Sequence, residues 1–387
     1  MKRYYMSLRK FVSPEIIFGN GARNLAGKYG HQFSAEKALV VTDKNLLKTG
    51  WVDDVLRTLH EQNIKYTLFS DVTPNPRAFE VMHGADLYLS EGCNVIYAVG
   101  GGSPMDCAKG IGIVSSNQKN ILNFEGIDKI INPVPPLIFI PTTAGSSADV
   151  SQFCIINDIM EKVKISIVSK AIVPDVALID PETTLTMSPY LTACTGMDAL
   201  VHAIEAFVST GSGPLTDLYA LNAIELLSEN LIDLIHDPDN PSLREKIMLA
   251  SMQAGLAFSN AILGTVHAMA HSLGGFLDLP HGECNALLLE HVIDYNFDSV
   301  PDRYSIIANR MGSSINNASS SEIKEKLLNR IRSIKSGVGI SSSLIKRGVK
   351  PEDLKQLASK AEKDACMLTN PKPATAEDLE NIFGKAL

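Results

Sequence analysis

In the first half of the chain, short runs of β-branched and other apolar residues alternate with amphipathic stretches of helical length. KALVVTD (37–43), KYTLFSD (65–71), NVIYAVGGGS (94–103), PLIFIPTT (136–143) and DVALIDP (175–181) each read as a strand that ends in a turn or polar residue. Strands and helices in this rhythm build a parallel sheet. An earlier segment, FVSPEIIFGNGA (11–22), reads as a strand and turn that caps one edge of that sheet. From about Pro189 the period changes to long helical patterns, such as LTDLYALNAIELLSENLIDLI (215–235) and SLREKIMLASMQAGLAFSNAI (242–262), with no convincing strand. The boundary is therefore expected within TTLTMSPY (183–190), giving an α/β domain over 1–187 and an all-helical domain over 188–387. SSINNASSSEI (313–323) reads as a surface loop.

A length of 387 residues is enough for two separate cores. With 45% apolar and 20% charged residues, the profile is that of a soluble globular protein. A formal charge of -8 argues against a nucleic-acid partner and leaves small neutral substrates open. The six cysteines (Cys93, Cys107, Cys154, Cys194, Cys284, Cys366) form no CxxC pair, so a reducing compartment is the simpler expectation. The basic N-terminus is followed by Pro14 and Glu15 rather than a cleavable apolar core, and no run approaches 18 uninterrupted apolar residues. These features predict a cytoplasmic protein without a membrane partner.

Candidate chemistry begins at the glycine cluster. A buried strand runs into Gly100, Gly101, Gly102 and Ser103, and a helix is expected from near Pro104. Glycine allows close approach of backbone amides to a phosphate, and a helix N-terminus adds unpaired N–H groups and a positive dipole. The spacing is neither GxGxxG nor a P-loop, so a plain strand-to-helix turn is the competing reading. Asp43 closes its strand where a carboxylate in a nucleotide-binding sheet accepts both ribose hydroxyls and repels a 2′-phosphate, or where it simply caps the next helix. PTTAGSSAD (141–149) places Thr142, Thr143 and Ser146 beside a flexible Ala-Gly step, as a phosphate or ribose site or an ordinary ST-rich turn would.

Asp198 and His202 stand four apart in TGMDALVHAIEAF, with Thr195 as the expected N-cap, so both face one side of a helix. His267 and His271 repeat that spacing, and the helix is expected to give way at SLGGFLDLP to a loop that delivers His281 between Pro280 and Gly282. A lone apolar-face histidine is usually a hydrogen-bonded core residue, but an unpaired aspartate in such surroundings would be costly. Together the Asp/His set suits a borderline divalent metal such as iron or zinc. HAMAH offers two candidate ligands and lacks the Glu of a protease HExxH helix, so spacing does not decide between His267 and His271. A Lewis acid beside an alcohol oxygen lowers its pKa and lets the carbon release hydride to a nicotinamide.

GGGSPMDCAK, PTTAGSSAD, TGMDALVHAIEAF and HAMAHSLGGFLDLPHG together resemble the iron-dependent (group III) alcohol dehydrogenases, over almost the whole chain. The resemblance implies an N-terminal dinucleotide-binding α/β domain, a C-terminal helical domain and an active site in the cleft between them, the architecture shared with dehydroquinate synthase. It makes Asp198, His202, His267 and His281 the metal ligands and leaves His271 as the unliganded histidine, the candidate proton relay. It also implies NAD contacts from Asp43, Asn75, Gly101, Gly102, Ser103, Asp106, Thr142, Thr143, Ser146, Phe153, Lys164 and Met187. Without the resemblance, Lys164 would read as a solvated strand charge, and Phe153 and Met187 as core. Two departures from the family pattern are TAGSSAD, with Ser146 and Asp149 replacing Thr and Glu, and Glu290, where proline is common and a changed helix start is the expected effect.

The expectation is thus an NAD-linked dehydrogenase, with Fe(II), or alternatively Zn(II) or Mn(II), interconverting a small primary alcohol and its aldehyde. The alternatives are a glycerol- or 1,3-propanediol-type polyol dehydrogenase, a cyclising elimination that recycles NAD, and a non-enzymatic NADH-binding sensor. A homo-oligomer, dimeric or higher, is expected from strand pairing at the edge near IIFGNGA.

Overall fold

The computed structural model describes residues 10–340 and 343–387, so the basic start of the chain lies outside the described residues. Six strands form one parallel sheet in the order β1-β9-β6-β4-β2-β3: β1 (Glu15–Phe18), β2 (Lys37–Val41), β3 (Lys65–Phe69), β4 (Val95–Gly100), β6 (Leu137–Pro141) and β9 (Val176–Ile179). Every strand expected from the sequence is in this sheet, and β1 caps its edge by pairing Glu15–Phe18 with Val176–Ile179. Successive residues of a strand point to opposite faces. On β2, Ala38 and Val40 pack in one layer with Val55 and Leu59, whereas Leu39 and Val41 pack in another with Ile96 and Ile111. Helices α1 (Ala26–Gln32) and α2 (Trp51–Glu61) cover the first face, and α3 (Ala78–Ser90) and α4 (Gly102–Asn117) the second. Burial on both faces is why the inner strands β2, β4, β6 and β9 read as continuous apolar runs, whereas β3 at the edge is largely exposed.

A second sheet, without a counterpart among the strands expected from the sequence, is formed by β5 (Gly126–Ile127), β7 (Phe153–Asp158) and β8 (Val163–Val168) in the order β5-β8-β7. β7 and β8 form an antiparallel hairpin in which Asn157 faces Lys164.

After β9 the described chain is helical: α5 (Pro189–Val208), α6 (Pro214–His236), α7 (Pro241–Ala261), α8 (Thr265–Leu277), α9 (His281–Asn296), α10 (Pro301–Arg310), α11 (Ser320–Gly337), α12 (Leu354–Ala361) and α13 (Ala376–Ala386). Four details differ from expectation. Thr195 is not an N-cap: α5 starts at Pro189, Ser188 accepts from Leu191 N–H, and the Thr195 hydroxyl bonds the Leu191 carbonyl at 2.9 Å inside the helix. α8 continues through SLGGFL to Leu277, and His281 opens α9 rather than sitting in a loop. Glu290 lies well inside α9, not at its start. The 313–323 segment is only partly loop, because Ser319 caps α11 in a box with Glu322.

α5 is long and apolar enough by length and composition to cross a membrane, but 89% of that window is buried inside the protein, as in a core helix. α7 and α8 meet at 103° across Ile262, which has φ 64. Positive φ at a β-branched residue is strained, by about 1–3 kcal/mol, and persists only where packing demands it. Here the bend points the N-terminus of α8 toward α5.

Candidate functional site

Three turns at the carboxyl ends of adjacent strands meet over the sheet, the position where open α/β sheets bind ligands. Asp43 follows β2, Gly101 follows β4 and Thr142 follows β6, with Gly100 paired to Pro141 in register. α4 begins at Gly102 without a side-chain cap, so its first amides are free for an anion. A Cβ on Gly102 would lie 2.8 Å from Ser146 Oγ, and one on Gly101 would lie 3.0 Å from the Thr143 side chain. Only glycine lets the two turns close on each other.

These turns line one cavity of about 720 Å³ that continues to the helical half. The residues singled out from the sequence all line it: Asp43, Asn75, Gly101, Gly102, Ser103 and Asp106; Thr142, Thr143 and Ser146; Phe153, Lys164 and Met187; and Asp198, His202, His267, His271 and His281. Asp43 also accepts from the N–H groups of Asn45 (2.8 Å) and Leu46 (3.2 Å), so it shapes its own turn as well as the cavity. Lys164 is not a solvated charge. It is 5% exposed, donates to Asn75 Oδ1 at 2.7 Å, and has its pKa lowered by burial. Burial also pushes Asp106 up to about 7 and Asp149 up to about 6.

At the far end, α5, α8 and α9 bring four side chains together. Ligand atoms of Asp198, His267 and His281 lie within 4.8 Å of one another, and His202 Nε2 is 4.0 Å from Asp198 Oδ1. The His202 and His267 rings stack at 4.5 Å, and the His271 and His281 rings at 5.2 Å. Because a carbonyl can only accept, the contact of His202 Nδ1 with Gly145 O at 3.2 Å places the proton on Nδ1 and turns the Nε2 lone pair toward Asp198. Burial lowers His202 to about 3 and His281 well below its ordinary value, so both imidazoles are neutral. Burial opposes ionisation of Asp198, but the surrounding His202, His281 and His267 outweigh it and hold its carboxyl below the usual carboxylate range. Burial also opposes a charge on His267, yet the Asp198 and Glu205 carboxylates raise it to about 9. Two neutral imidazoles, an ionised carboxylate, and a third imidazole at which carboxylates favour positive charge fit a divalent first-row ion, which would take the place of the His267 Nε2 proton.

Three further residues belong to this constellation and were not anticipated. Glu205 Oε2 lies 2.6 Å from His267 Nδ1. Asn285 Nδ2 donates to Asp198 Oδ1 at 2.6 Å and lies 3.1 and 3.3 Å from the Nε2 atoms of His267 and His281. Asp364 Oδ2 lies 2.8 Å from His271 Nδ1. Glu205 follows His202 by three positions on the ligand-bearing face of α5, and Asn285 follows His281 by four, so helical spacing held the signal for both. Nothing local marks Asp364.

Glycine-lined turns at the strand ends of a parallel sheet, opening through one cavity onto an Asp/His₃ cluster in a helical bundle, are the arrangement of a metal- and dinucleotide-dependent oxidoreductase. Residues 13–181 match the family model "Iron-containing alcohol dehydrogenase", and 192–387 match "Fe-containing alcohol dehydrogenase family, C-terminal". The chain is 40% identical over 386 residues to a 1,3-propanediol dehydrogenase of Klebsiella pneumoniae, covering 98% of this chain and 100% of that one. It is 35% identical over 377 residues to the NAD-dependent methanol dehydrogenase of Bacillus methanolicus, covering 97% and 99%. A solved 1,3-propanediol oxidoreductase superposes with a TM-score of 0.95 at 39% identity, covering 98% and 100%. The chain belongs to the iron-containing alcohol dehydrogenase family. It is accordingly an enzyme of alcohol and aldehyde oxidoreduction, with NAD and iron as its cofactors.

Proposed function

We propose that the chain interconverts a small primary alcohol and its aldehyde with NAD, with Asp198, His202, His267 and His281 holding the metal. The observation that carries this reading is that these four donors share one continuous cavity with the phosphate-binding turns. The α/β part, taken as 1–187, supplies the cofactor side: Gly101, Gly102 and Ser103 with Thr142, Thr143 and Ser146 cradle the pyrophosphate, and Asp43 takes the adenosine ribose. Asn75, Asp106, Phe153, Lys164 and Met187 line the path toward the nicotinamide. The helical part, 188–387, supplies the ligands.

When bound, the iron supplies a Lewis acid that polarises the alcohol or carbonyl oxygen, and the nicotinamide takes or returns the hydride. Gly145 O and Glu205 hold the Nδ1 protons of His202 and His267, so Nε2 is the atom that each would turn to the metal. His271 is bonded through Nδ1 to Asp364, which leaves Nε2 to take up the hydroxyl proton and hand it back. Phe258 stacks on His202 at 4.2 Å and meets Phe153 edge-on at 5.5 Å, so apolar walls exclude water beside the ligands.

A second reading, oxidation of a 1,3-diol, is favoured by the 1,3-propanediol dehydrogenases of Klebsiella pneumoniae and Citrobacter freundii, 40% and 39% identical to this chain. Initial-rate NADH oxidation with acetaldehyde, propanal, butanal and 3-hydroxypropanal, on chelated protein and on protein reloaded anaerobically with Fe(II), Zn(II) or Mn(II), tests both. Restoration by one metal is expected. Strong preference for the hydroxyaldehyde selects the diol reading, and no metal-dependent turnover with any of them refutes both. The six buried free cysteines support a reducing, cytoplasmic setting. The edge position of β1 supports assembly into a homo-oligomer through strand addition.

A further inference from the structure

We infer that Glu205 is a positioning residue that fixes the imidazole of His267 and, through it, the affinity of the site for its metal. The inference rests on the ligand set proposed above.

Glu205 is 4% exposed on α5, inside the apolar core of the helical half. A buried carboxylate there needs full compensation. Its two oxygens find it at one place, the start of α8. The N-cap of that helix is Gly264, which has no side chain to satisfy the first amides. Glu205 Oε1 accepts from Val266 N–H at 2.7 Å, and Oε2 lies 3.4 Å from His267 N. The missing cap is thus provided from outside the helix, by Glu205 and by Asn370 Oδ1, which accepts from Thr265 N–H at 3.2 Å, at the positive end of the α8 dipole. A Cβ on Gly264 would lie 2.9 Å from Glu205 Oε1, so glycine at that position is what lets the carboxylate reach the amides.

The same Oε2 is 2.6 Å from His267 Nδ1. A carboxylate can only accept, so His267 carries a proton on Nδ1, and Nε2, 3.8 Å from Asp198 Oδ1, is the atom that would offer its lone pair to the metal. One side chain therefore sets the tautomer of His267, the rotation of its ring and the start of the helix that also carries His271. It joins α5, which bears Asp198 and His202, to α8. Carboxylates behind ligating histidines orient the ring and raise its basicity, and their loss weakens metal binding by about 10- to 100-fold.

The test is Glu205→Gln in the full-length enzyme, read by metal content and by the rate of metal loss to a chelator. A glutamine side chain has the same shape but only one accepting oxygen. It can cap Val266 or accept from His267 Nδ1, and in either arrangement an N–H donor faces another donor. Metal affinity is expected to fall about 10- to 100-fold, with loss to chelator correspondingly faster and the circular dichroism spectrum unchanged. Wild-type affinity and release rate in the variant would overturn the inference. Should the variant not fold, the wild-type protein decides: in the Zn(II)-loaded form, ¹⁵N-histidine NMR, assigned with His267→Ala, is expected to place the His267 proton on Nδ1, and a proton on Nε2 would overturn it. Failure of the parent reading looks different, since His267→Ala would then keep stoichiometric metal.

Discussion

His271 and Asp364, 93 residues apart in sequence, meet through Nδ1 and Oδ2 at 2.8 Å. Asp364 Oδ1 accepts at the same time from Cys366 N–H at 2.8 Å, so the carboxylate cannot turn away from the ring. Burial opposes its ionisation, but the neighbouring His271 and the Cys366 N–H keep its pKa below the ordinary value. His271 is therefore held with Nε2 free. For Asp364→Asn, turnover is expected to fall on the order of 100-fold, with metal content unchanged. Steady-state rates beside metal analysis check this, and full turnover would remove His271 from the proton path.

Asp43 is the residue proposed to set the choice of cofactor. Its carboxylate lines the cavity beside the β2 turn and would repel a 2′-phosphate. For Asp43→Gly, kcat/KM with NADPH is expected to rise on the order of tenfold, equivalent to ~1.4 kcal/mol, while kcat/KM with NADH falls. Parallel assays with the two cofactors decide it, and an unchanged ratio would leave Asp43 as a turn cap only.

Asp278, at the end of α8, accepts from Asn75 Nδ2 at 2.7 Å and Arg77 at 2.8 Å, tying the helical half to the loop that lines the cofactor cavity. The Asp278 side chain is 53% exposed, so the tie is weak, about 0.2–1 kcal/mol. Asp278→Ala should raise the NADH dissociation constant by a factor of roughly 1.5 to 5, measured by fluorescence titration. A change of 100-fold would mean that Asp278 contacts the cofactor itself.

Glu290 ties α9 to α11, pairing with Arg332 Nε at 2.5 Å and with Lys335. Burial raises its pKa, but the two cations outweigh this, so the folded value lies below the ordinary one. A depressed carboxyl stabilises the fold above its unfolded pKa of about 4.3, and that contribution disappears as pH falls through the folded value. Glu290→Gln should cost about 1–3 kcal/mol at pH 7, and thermal unfolding curves of variant and wild type should draw together as pH falls below about 4.3 and coincide once it is below the folded value. A constant gap across that range would mean the loss is steric rather than electrostatic.

The parallel sheet was legible because strands buried on both faces carry their signal in composition alone, as VVT after Lys37 and IYAVG after Val95 do. The β7–β8 hairpin was harder to read. Its turn at 159–162 is IMEK, with no glycine or asparagine, and Asn157 and Lys164 sit on it as polar residues that are nonetheless buried. Thr195 imitated an N-cap because it is a threonine ahead of the Asp/His face, but Ser188 and Pro189 start the helix earlier, and Gly196 inside it packs under Leu231 of α6, where a Cβ would lie 2.3 Å from Cδ1. For the donor set, the i, i+4 spacing put Asp198 with His202 and His267 with His271 on shared helix faces, whereas the preference for His267 over His271, and the inclusion of His281, rested on the family resemblance. Its supports were less accessible. Glu205 looks like any glutamate of an amphipathic helix until α8 is laid against it, and Asp364 reaches His271 only through the tertiary fold.

Gly282, directly after His281, adds a different constraint. A Cβ there would lie 2.0 Å from the carbonyl oxygen of Cys194 and 3.1 Å from Asp198 Cβ. α9 and α5 thus touch main chain to main chain at the level of the donors, with no side chain between them to yield. Substituting alanine would leave every ligand chemically intact and still drive Asp198 and His281 apart. The tolerance of the centre is set by the absence of a single methyl group, and a lineage that changed this glycine could keep all its histidines and lose its metal.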